Sequence, residues 1–150
     1  MTDETVALTK CAACRKLRPL TYAIVLLFAV LFAYVRLAPT DPAAWHQPIA
    51  QSESVDLAGG AVRVIDGDEE TLAQIDAAMR ALPRTHVLAG TREEGRLTYV
   101  TRSRIWGFPD FTTLEISGDT VKLFARLRFG ASDLGVNRQR LEQVLAAIQA

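Results

Sequence analysis

The sequence predicts an α+β protein: an antiparallel sheet with two helices on one face, preceded by a single transmembrane helix. Three observations predict it: an uncharged apolar run near the amino terminus, a later series of strand-like segments, and helical spacing of apolar residues before and after that series. We therefore divide the chain into a cytoplasmic tail (1–19), a transmembrane helix (20–38), a stalk and loop (39–60) and an extracytoplasmic α+β domain (61–150).

The membrane helix is predicted from Leu20–Val35, which contains no charged residue. Extending this run through Ala38 gives 19 residues, or about 28 Å of helix at about 1.5 Å per residue, against a bilayer core of about 30 Å. A cleaved signal peptide is the alternative, since basic residues precede the apolar run. The flanks of Ala38 argue against cleavage, because Arg36 stands two residues before it and Pro39 follows it.

Charge on either side of the span predicts its orientation. Only Arg36 follows the uncharged run, whereas four basic residues precede it: Lys10, Arg15, Lys16 and Arg18. The positive-inside rule then places the amino terminus in the cytoplasm. We expect a single-pass protein of the bacterial inner membrane with a periplasmic carboxy-terminal domain.

The two cysteines, Cys11 and Cys14, form a lone C-x-x-C motif in the predicted cytoplasmic tail. A zinc site needs two further ligands, and His46 and His86 lie across the predicted membrane. A redox role for the pair would require a folded domain around it. We therefore predict neither a metal nor another cofactor.

Residues 39–60 are predicted as a stalk and loop because they contain three prolines and the pair Gly59-Gly60. Trp45 interrupts this polar stretch. Two positions are open for its side chain: the membrane interface beside Tyr34, or the surface of the domain, where it would act as a lid.

The domain opens with a strand and a helix. Ala61–Ile65 is a short apolar run, which predicts a strand. A helix follows between the acidic residues that begin at Asp66 and the stop at Pro83. Its apolar face repeats every three or four residues through Leu72, Ile75, Met79 and Leu82.

Four more strands and a closing helix complete the fold. The strand-like segments are rich in Val, Thr, Phe, Tyr and Leu, and turn residues separate them; they are Thr85–Ala89, Arg96–Arg104, Phe111–Ser117 and Thr120–Phe129. Gly118-Asp119 predicts a two-residue hairpin turn. The last helix opens at Leu134 or Asn137, and its apolar face comprises Leu141, Val144, Leu145 and Ile148. Helices on one face leave the other face partly to solvent or a partner.

The candidate binding residues come from two arginine-rich segments, Thr101–Phe111 and Ala125–Arg140. Arginine binds carboxylate or phosphate through a planar fork of donors, and paired arginines at two-residue spacing share one face of a strand. We select as candidates Arg102, Arg104, Asp110, Arg126, Arg128, Asp133, Asn137, Arg138 and Arg140.

Two explanations of this charge pattern stay open. Internal salt bridges are one: residues 41–94 are net acidic and residues 95–150 net basic, and Asp110 and Asp133 each follow an arginine-bearing strand. The other is an external anion, because Arg138 and Arg140 fall near the positive start of the last helix and need compensation. That anion would be a small molecule, a lipid headgroup or an acidic protein surface.

The two segments also resemble a known family. Arg102–Asp110 reads R-S-R-x-x-G-F-P-D, Arg126–Arg140 reads R-x-R-x-G-x-x-D-x-G-x-N-R-x-R, and A-W-H stands at Ala44–His46. These motifs are similar to those of the bacterial domain of unknown function 1499 family, across most of residues 41–150. The family often has S-R-S-R at the start of the second motif, whereas Ala125 and Leu127 replace both serines here.

The resemblance implies a small envelope or membrane-associated protein without a settled activity. We predict a membrane-anchored, non-catalytic domain that binds an anion, a lipid headgroup or an acidic partner. A hydrolase is the alternative, with Ser103 as nucleophile and Asp110 or Asp133 as acid or base. Nucleic acid is not an expected partner, because the compartment is wrong and residues 41–150 carry 12 basic against 15 acidic side chains.

Overall fold

The computed structural model describes the backbone of residues 3–149 and the side chains of residues 19–149. The chain divides into two compact units at the junction of Ala38 and Pro39. The first contains helix α1 (Asp3–Leu37). Its stretch Pro19–Leu37 is long and apolar enough to cross a membrane, a property that signal sequences share. The side chains of Cys11 and Cys14 lie outside the described part.

The second unit is built on one six-stranded sheet in which every neighbouring pair is antiparallel. The strands are β1 (Val55–Leu57), β2 (Gly60–Asp66), β3 (Thr85–Thr91), β4 (Arg96–Arg102), β5 (Pro109–Ser117) and β6 (Thr120–Leu127). Their order across the sheet is β1-β2-β6-β5-β4-β3. The helices of this unit are α2 (Pro42–Trp45), α3 (Glu69–Ala81) and α4 (Val136–Ile148). The predicted α+β class is confirmed.

Helix α3 begins where its sequence predicts. The Asp68 carboxylate accepts a hydrogen bond from the Thr71 amide at 3.0 Å, and the Thr71 hydroxyl faces the Asp68 amide, which completes a capping box. Leu72, Ile75 and Met79 are fully buried on the inner face of this helix. The capping box fixes the start of the helix, and the apolar face determines which side of the helix packs on the sheet.

Helices α3 and α4 cover one face of the sheet, and the hydrophobic core lies between them and that face. Leu141 and Val144 of α4 join the buried side of α3 against the strand residues Leu97, Leu114, Val121 and Leu123. The core also holds a polar pair: the Tyr99 hydroxyl donates to the Asp76 carboxylate at 2.7 Å. Burial is the main reason why the pKa of Tyr99 is raised.

The opposite face of the sheet is covered in part by residues 39–50, here called the strap. Trp45 stacks on Phe111 with ring centroids 3.9 Å apart, and Ile49 is buried while its amide donates to the Glu115 carboxylate at 3.2 Å. Because Phe111 and Glu115 alternate with core residues along β5, they face away from the helices. The strap therefore lies against the second face.

The segment predicted as a stalk and loop thus differs from the observed structure. Residues 39–60 belong to the second compact unit, because Trp45 and Ile49 remove apolar surface from water when they pack on the sheet. The strap lies so close to Gly90, whose φ is +84°, that a Cβ there would be 2.5 Å from His46 Cε1. Strand β1 was not predicted, since it is an exposed edge of only three residues, too short for its alternation to indicate a strand.

Two predicted strands extend too far. Strand β4 ends at Arg102 and β6 ends at Leu127, whereas the sequence analysis continued them to Arg104 and Phe129. After Arg102 the chain enters a closed turn, in which the Ser103 amide donates to the Phe108 carbonyl at 2.9 Å. That hydrogen bond within the turn takes the place of the next hydrogen bond between strands of the sheet.

Candidate functional site

The candidate site is a cleft of about 350 Å³ at the end of β4, beside the first turns of α4. Its charged lining residues are Arg84, Arg102, Arg104, Asp110 and Arg140. Neutral polar groups come from Thr101, Ser103, Gln139 and Gln143. Four guanidinium groups thus meet one carboxylate, and we call this the arginine cleft.

A turn between β4 and β5 shapes one wall of the cleft. The Ser103 hydroxyl accepts a hydrogen bond from the Phe108 amide at 3.0 Å, and Arg102 donates to the Gly107 carbonyl at 3.1 Å. Gly107 has φ +72°, a left-handed conformation that glycine adopts without strain. One guanidinium nitrogen of Arg102 is therefore held by the turn, and the Ser103 hydroxyl already accepts one hydrogen bond.

Asp110 and Arg140 form the most buried ion pair of the cleft. Their closest atoms are 3.0 Å apart, and the side chains are 14% and 11% exposed. Burial raises the pKa of Asp110, although the Arg140 guanidinium opposes that rise. Arg140 also donates to the amide oxygen of the fully buried Asn137. Arg140 therefore belongs to the internal framework of the cleft.

Arg84 and Arg104 are the exposed cations of the cleft. Arg84 forms two hydrogen bonds with the backbone of Arg102. The Arg84 side chain donates to the Arg102 carbonyl at 3.0 Å, and the Arg102 amide donates to the Arg84 carbonyl at 3.1 Å. Arg104 makes no hydrogen bond or ion pair with any residue whose side chain the structure describes. Its guanidinium is thus available to an external acceptor.

Arg126 and Arg128 lie on the strap side of the sheet, away from the arginine cleft. Arg126 donates to the Trp45 carbonyl at 2.5 Å and lies over the Trp45 and Phe124 rings. Arg128 donates to the Pro39 carbonyl at 2.7 Å and to the Thr40 hydroxyl at 2.8 Å. Both arginines hold the strap through neutral acceptors.

Asp133 and Arg138 have separate structural partners. The Asp133 carboxylate accepts from the amides of Gly135 and Asn137 at 3.0 and 2.9 Å, which caps the start of α4. These hydrogen bonds lower the pKa of Asp133 despite some burial. Arg138 forms exposed ion pairs with Asp56 at 3.4 Å and Glu142 at 3.9 Å.

The structure therefore divides the predicted site residues into groups. Arg102, Arg104, Asp110 and Arg140 line one cleft, with Asn137 bonded behind Arg140. The strap arginines and the α4 cap lie elsewhere. The arginine pairs of the two segments do not come together in one site, because β4 ends before Arg104 and because Arg126 and Arg128 are engaged with the strap.

The lining of the cleft carries an excess of positive charge. Its fixed charge favours carboxylate or phosphate, and Arg104 offers a donor fork for two parallel hydrogen bonds. Ser103 and Asp110 of the hydrolase hypothesis both line it, whereas Asp133 does not. Within residues 19–149, His, Cys, Asp and Glu side chains form no cluster suited to a metal ion.

A comparison with protein-family models identifies the family. The model described as Protein of unknown function (DUF1499) matches residues 35–148. The chain belongs to this family. The match takes in the strap, the whole sheet and both arginine-rich segments, as the resemblance of the motifs implied. A search of curated protein sequences finds no match.

Within this DUF1499 domain, sequence reasoning missed four polar residues of the cleft: Arg84, Thr101, Gln139 and Gln143. The register between β3 and β4 would have identified Arg84. Thr85 of β3 pairs with Thr101 of β4, so the residue before Thr85 must lie beside Arg102. The two glutamines are one turn apart on α4, and only the packing of that helix brings them to the cleft.

The family-specific departure also has a structural explanation. Ala125 is fully buried in the core between the sheet and the helices, and the amide of the half-buried Leu127 donates to the Gly59 carbonyl at 2.9 Å. Both side chains point away from the face that carries Arg126. Of the two positions at which the resemblance implies serine, Ala125 therefore packs the interior and Leu127 is half-buried, and neither interferes with the arginine contacts with the strap.

Proposed function

We propose that this protein is a membrane-anchored, non-catalytic domain of the bacterial envelope that binds an anionic group in the arginine cleft. One observation carries the proposal: the cleft gathers four arginines against a single carboxylate, and that carboxylate is already paired with Arg140. The domain as a whole is net acidic. A local excess of positive charge on an acidic domain favours an anionic ligand.

Arg104 is the residue that best fits direct ligand contact. It is exposed, and it has no hydrogen-bond or ion-pair partner among the described residues. A guanidinium in such a position binds phosphate or carboxylate without breaking an internal interaction. Arg84 and Arg102 would add charge from the same side, and Arg140 would act mainly by holding Asp110.

Membrane anchorage gives this binding a setting. The apolar helix Pro19–Leu37 has the length of a membrane span, and the basic residues before it favour a cytoplasmic amino terminus and a periplasmic domain. Tethering raises the local concentration of the cleft near phosphate and carboxylate groups at the membrane surface. The function would then be capture of such groups.

The test is thermal unfolding of the full chain in a neutral detergent, at constant ionic strength, with phosphate, acetate or chloride. A ligand at 100 times its dissociation constant adds about 2.7 kcal/mol, which raises Tm by roughly 10 °C for a domain of this size. We expect phosphate or acetate to stabilise the wild type beyond chloride. Arg104→Ala should reduce that shift several-fold.

The matched control is Arg92→Ala, which removes the same charge at a similarly exposed position outside the cleft, where Arg92 lies 3.7 Å from Asp76. This variant should keep the ligand-induced shift of the wild type. Equal loss of the shift in both variants would mean that only the overall charge matters. No shift with phosphate or acetate in the wild type would refute anion binding at the cleft.

A further inference from the structure

The loop beside the arginine cleft carries an exposed apolar patch. Ile105 and Trp106, directly after Arg104, are 74% and 53% exposed. Val136, at the start of α4, is also exposed and lines the cleft together with Arg104. Large exposed side chains grouped around cations need an explanation, because scattered ones are ordinary but clustered ones mark an interaction surface.

The loop is connected to the first residues of the domain by a short series of contacts. Phe108, at the end of the loop, packs against Phe129 with centroids 6.2 Å apart. The guanidinium of the neighbouring Arg128 lies over the Phe129 ring and donates to the Pro39 carbonyl at 2.7 Å. The loop is therefore close to the point where the domain begins.

The start of the domain, Pro39, is connected to the apolar helix by a very short linker. Pro39 is two residues after Leu37, the last residue of α1, and two residues of chain reach at most about 7 Å. If the helix spans the bilayer, as the proposed function holds, Pro39 lies at the membrane surface. Residues in contact with Arg128 then lie within reach of the lipid headgroups.

We infer that the loop Ser103–Phe108 is a second membrane contact, in which Ile105 and Trp106 enter the interfacial layer of the bilayer and Arg104 binds lipid phosphate. Tryptophan is enriched at this depth because its ring is amphipathic, and arginine pairs with phosphate through two hydrogen bonds. The occupant of the patch is the lipid surface. The inference rests on the proposed anchorage, and it makes lipid phosphate the anion that Arg104 of the cleft binds.

The chain offers a direct probe, because its two tryptophans are Trp45 and Trp106 and the apolar helix contains none. A full-length Trp45→Phe protein, in vesicles of phosphatidylcholine and phosphatidylglycerol, reports on Trp106 alone. Phenylalanine at position 45 keeps an aromatic ring against Phe111. Acyl chains brominated near the headgroup should quench Trp106 more than chains brominated near the bilayer centre.

Two variants make the result specific to the loop. Ile105→Asp should markedly reduce the quenching of Trp106, since a carboxylate opposes insertion. Leu57→Asp, the same kind of change at an exposed position on β1, should leave it unaltered. The complementary Trp106→Phe protein reports on Trp45, whose ring is covered by Phe111, and should be quenched less.

Flotation of the same vesicles separates this inference from the proposed anchorage. The protein could float with the vesicles and resist alkaline extraction while Trp106 is quenched no more than Trp45. That result would refute the loop contact and would leave the membrane anchorage intact. Chain that does not float would refute both. The loop would be established as a membrane contact if quenchers near the headgroup strongly quench Trp106, if Ile105→Asp removes this quenching and if Leu57→Asp preserves it.

Discussion

Arginines in this protein lie in two different environments, which their sequence spacing does not distinguish. Arg126 and Arg128 donate to backbone and hydroxyl oxygens of the strap. Substitution of these arginines would therefore weaken the packing of the strap on the sheet. Arg104 has no such partner among the described residues. Arg140 stands between these cases, because it lines the cleft and is also bound by Asp110 and Asn137.

We predict that Arg140→Ala destabilises the domain by about 3 kcal/mol, because it leaves Asp110 and Asn137 buried without their cationic partner. Urea unfolding of the full chain in neutral detergent, followed by tryptophan fluorescence, measures this loss. Arg138→Ala is the control: its ion pairs with Asp56 and Glu142 are exposed, so the loss should be within about 1 kcal/mol. Equal losses would contradict a framework role for Arg140.

The raised pKa of Asp110 predicts a specific pH dependence. Burial makes the folded state bind this proton more tightly than the unfolded state does, so the stability that Asp110 contributes is greatest below its ordinary pKa of about 4 and is lost as the pH rises through the folded pKa. Relative to Asp110→Asn, the wild type should therefore lose stability as the pH rises through this window. A difference that grows with pH would mean that the Arg140 ion pair outweighs burial.

At the scale of elements, the strap is the feature that the sequence analysis described least well. The α+β class, α3 with its acidic start and the four strands after it follow from apolar periodicity and turn residues. The strap has no periodicity, since its apolar residues Trp45 and Ile49 pack singly on the sheet. Only the alternation of Phe111, Thr113 and Glu115 on the second face makes a surface for it.

We predict that Trp45→Ala lowers stability by about 3 kcal/mol and exposes the strap, because the stacking on Phe111 and the contact with Arg126 are both lost. Chemical unfolding monitored by circular dichroism gives the stability, and limited proteolysis with amino-terminal sequencing locates new cleavage. Leu134→Ala, at a largely exposed position, should change stability by less than about 0.5 kcal/mol. Unchanged protection of residues 39–50 would contradict the packing role of Trp45.

The candidate site was only partly predictable for a similar reason. Arg102, Arg104, Asp110 and Arg140 are recognisable from the two arginine-rich segments, and the structure brings them to one cleft. Arg84 belongs to a different part of the sequence, and its approach depends on the register between β3 and β4. The inclusion of Arg126 and Arg128 followed from strand spacing alone, which contains no information about the strap on that face.

At the scale of the whole molecule, a short connection between the apolar helix and the domain relates the two proposals. The domain begins at Pro39, and Arg128 fixes that residue to the end of β6. A cleft with excess positive charge and a loop with exposed apolar residues belong to the same unit. Anchor, loop and cleft would together hold the domain at the membrane surface, where anionic groups are concentrated.

The central claim is that the cleft arginines bind an anion while the strap arginines support the fold. The most direct measurement is NMR of the arginine side-chain Nε–Hε signals in the full chain in neutral detergent, during titration with inorganic phosphate. Our account predicts that the signals of Arg84, Arg102 and Arg104 shift together and saturate, while those of Arg126 and Arg138 stay in place. Saturable shifts at Arg126 with none at Arg104, or no saturable shift at any arginine, would contradict it.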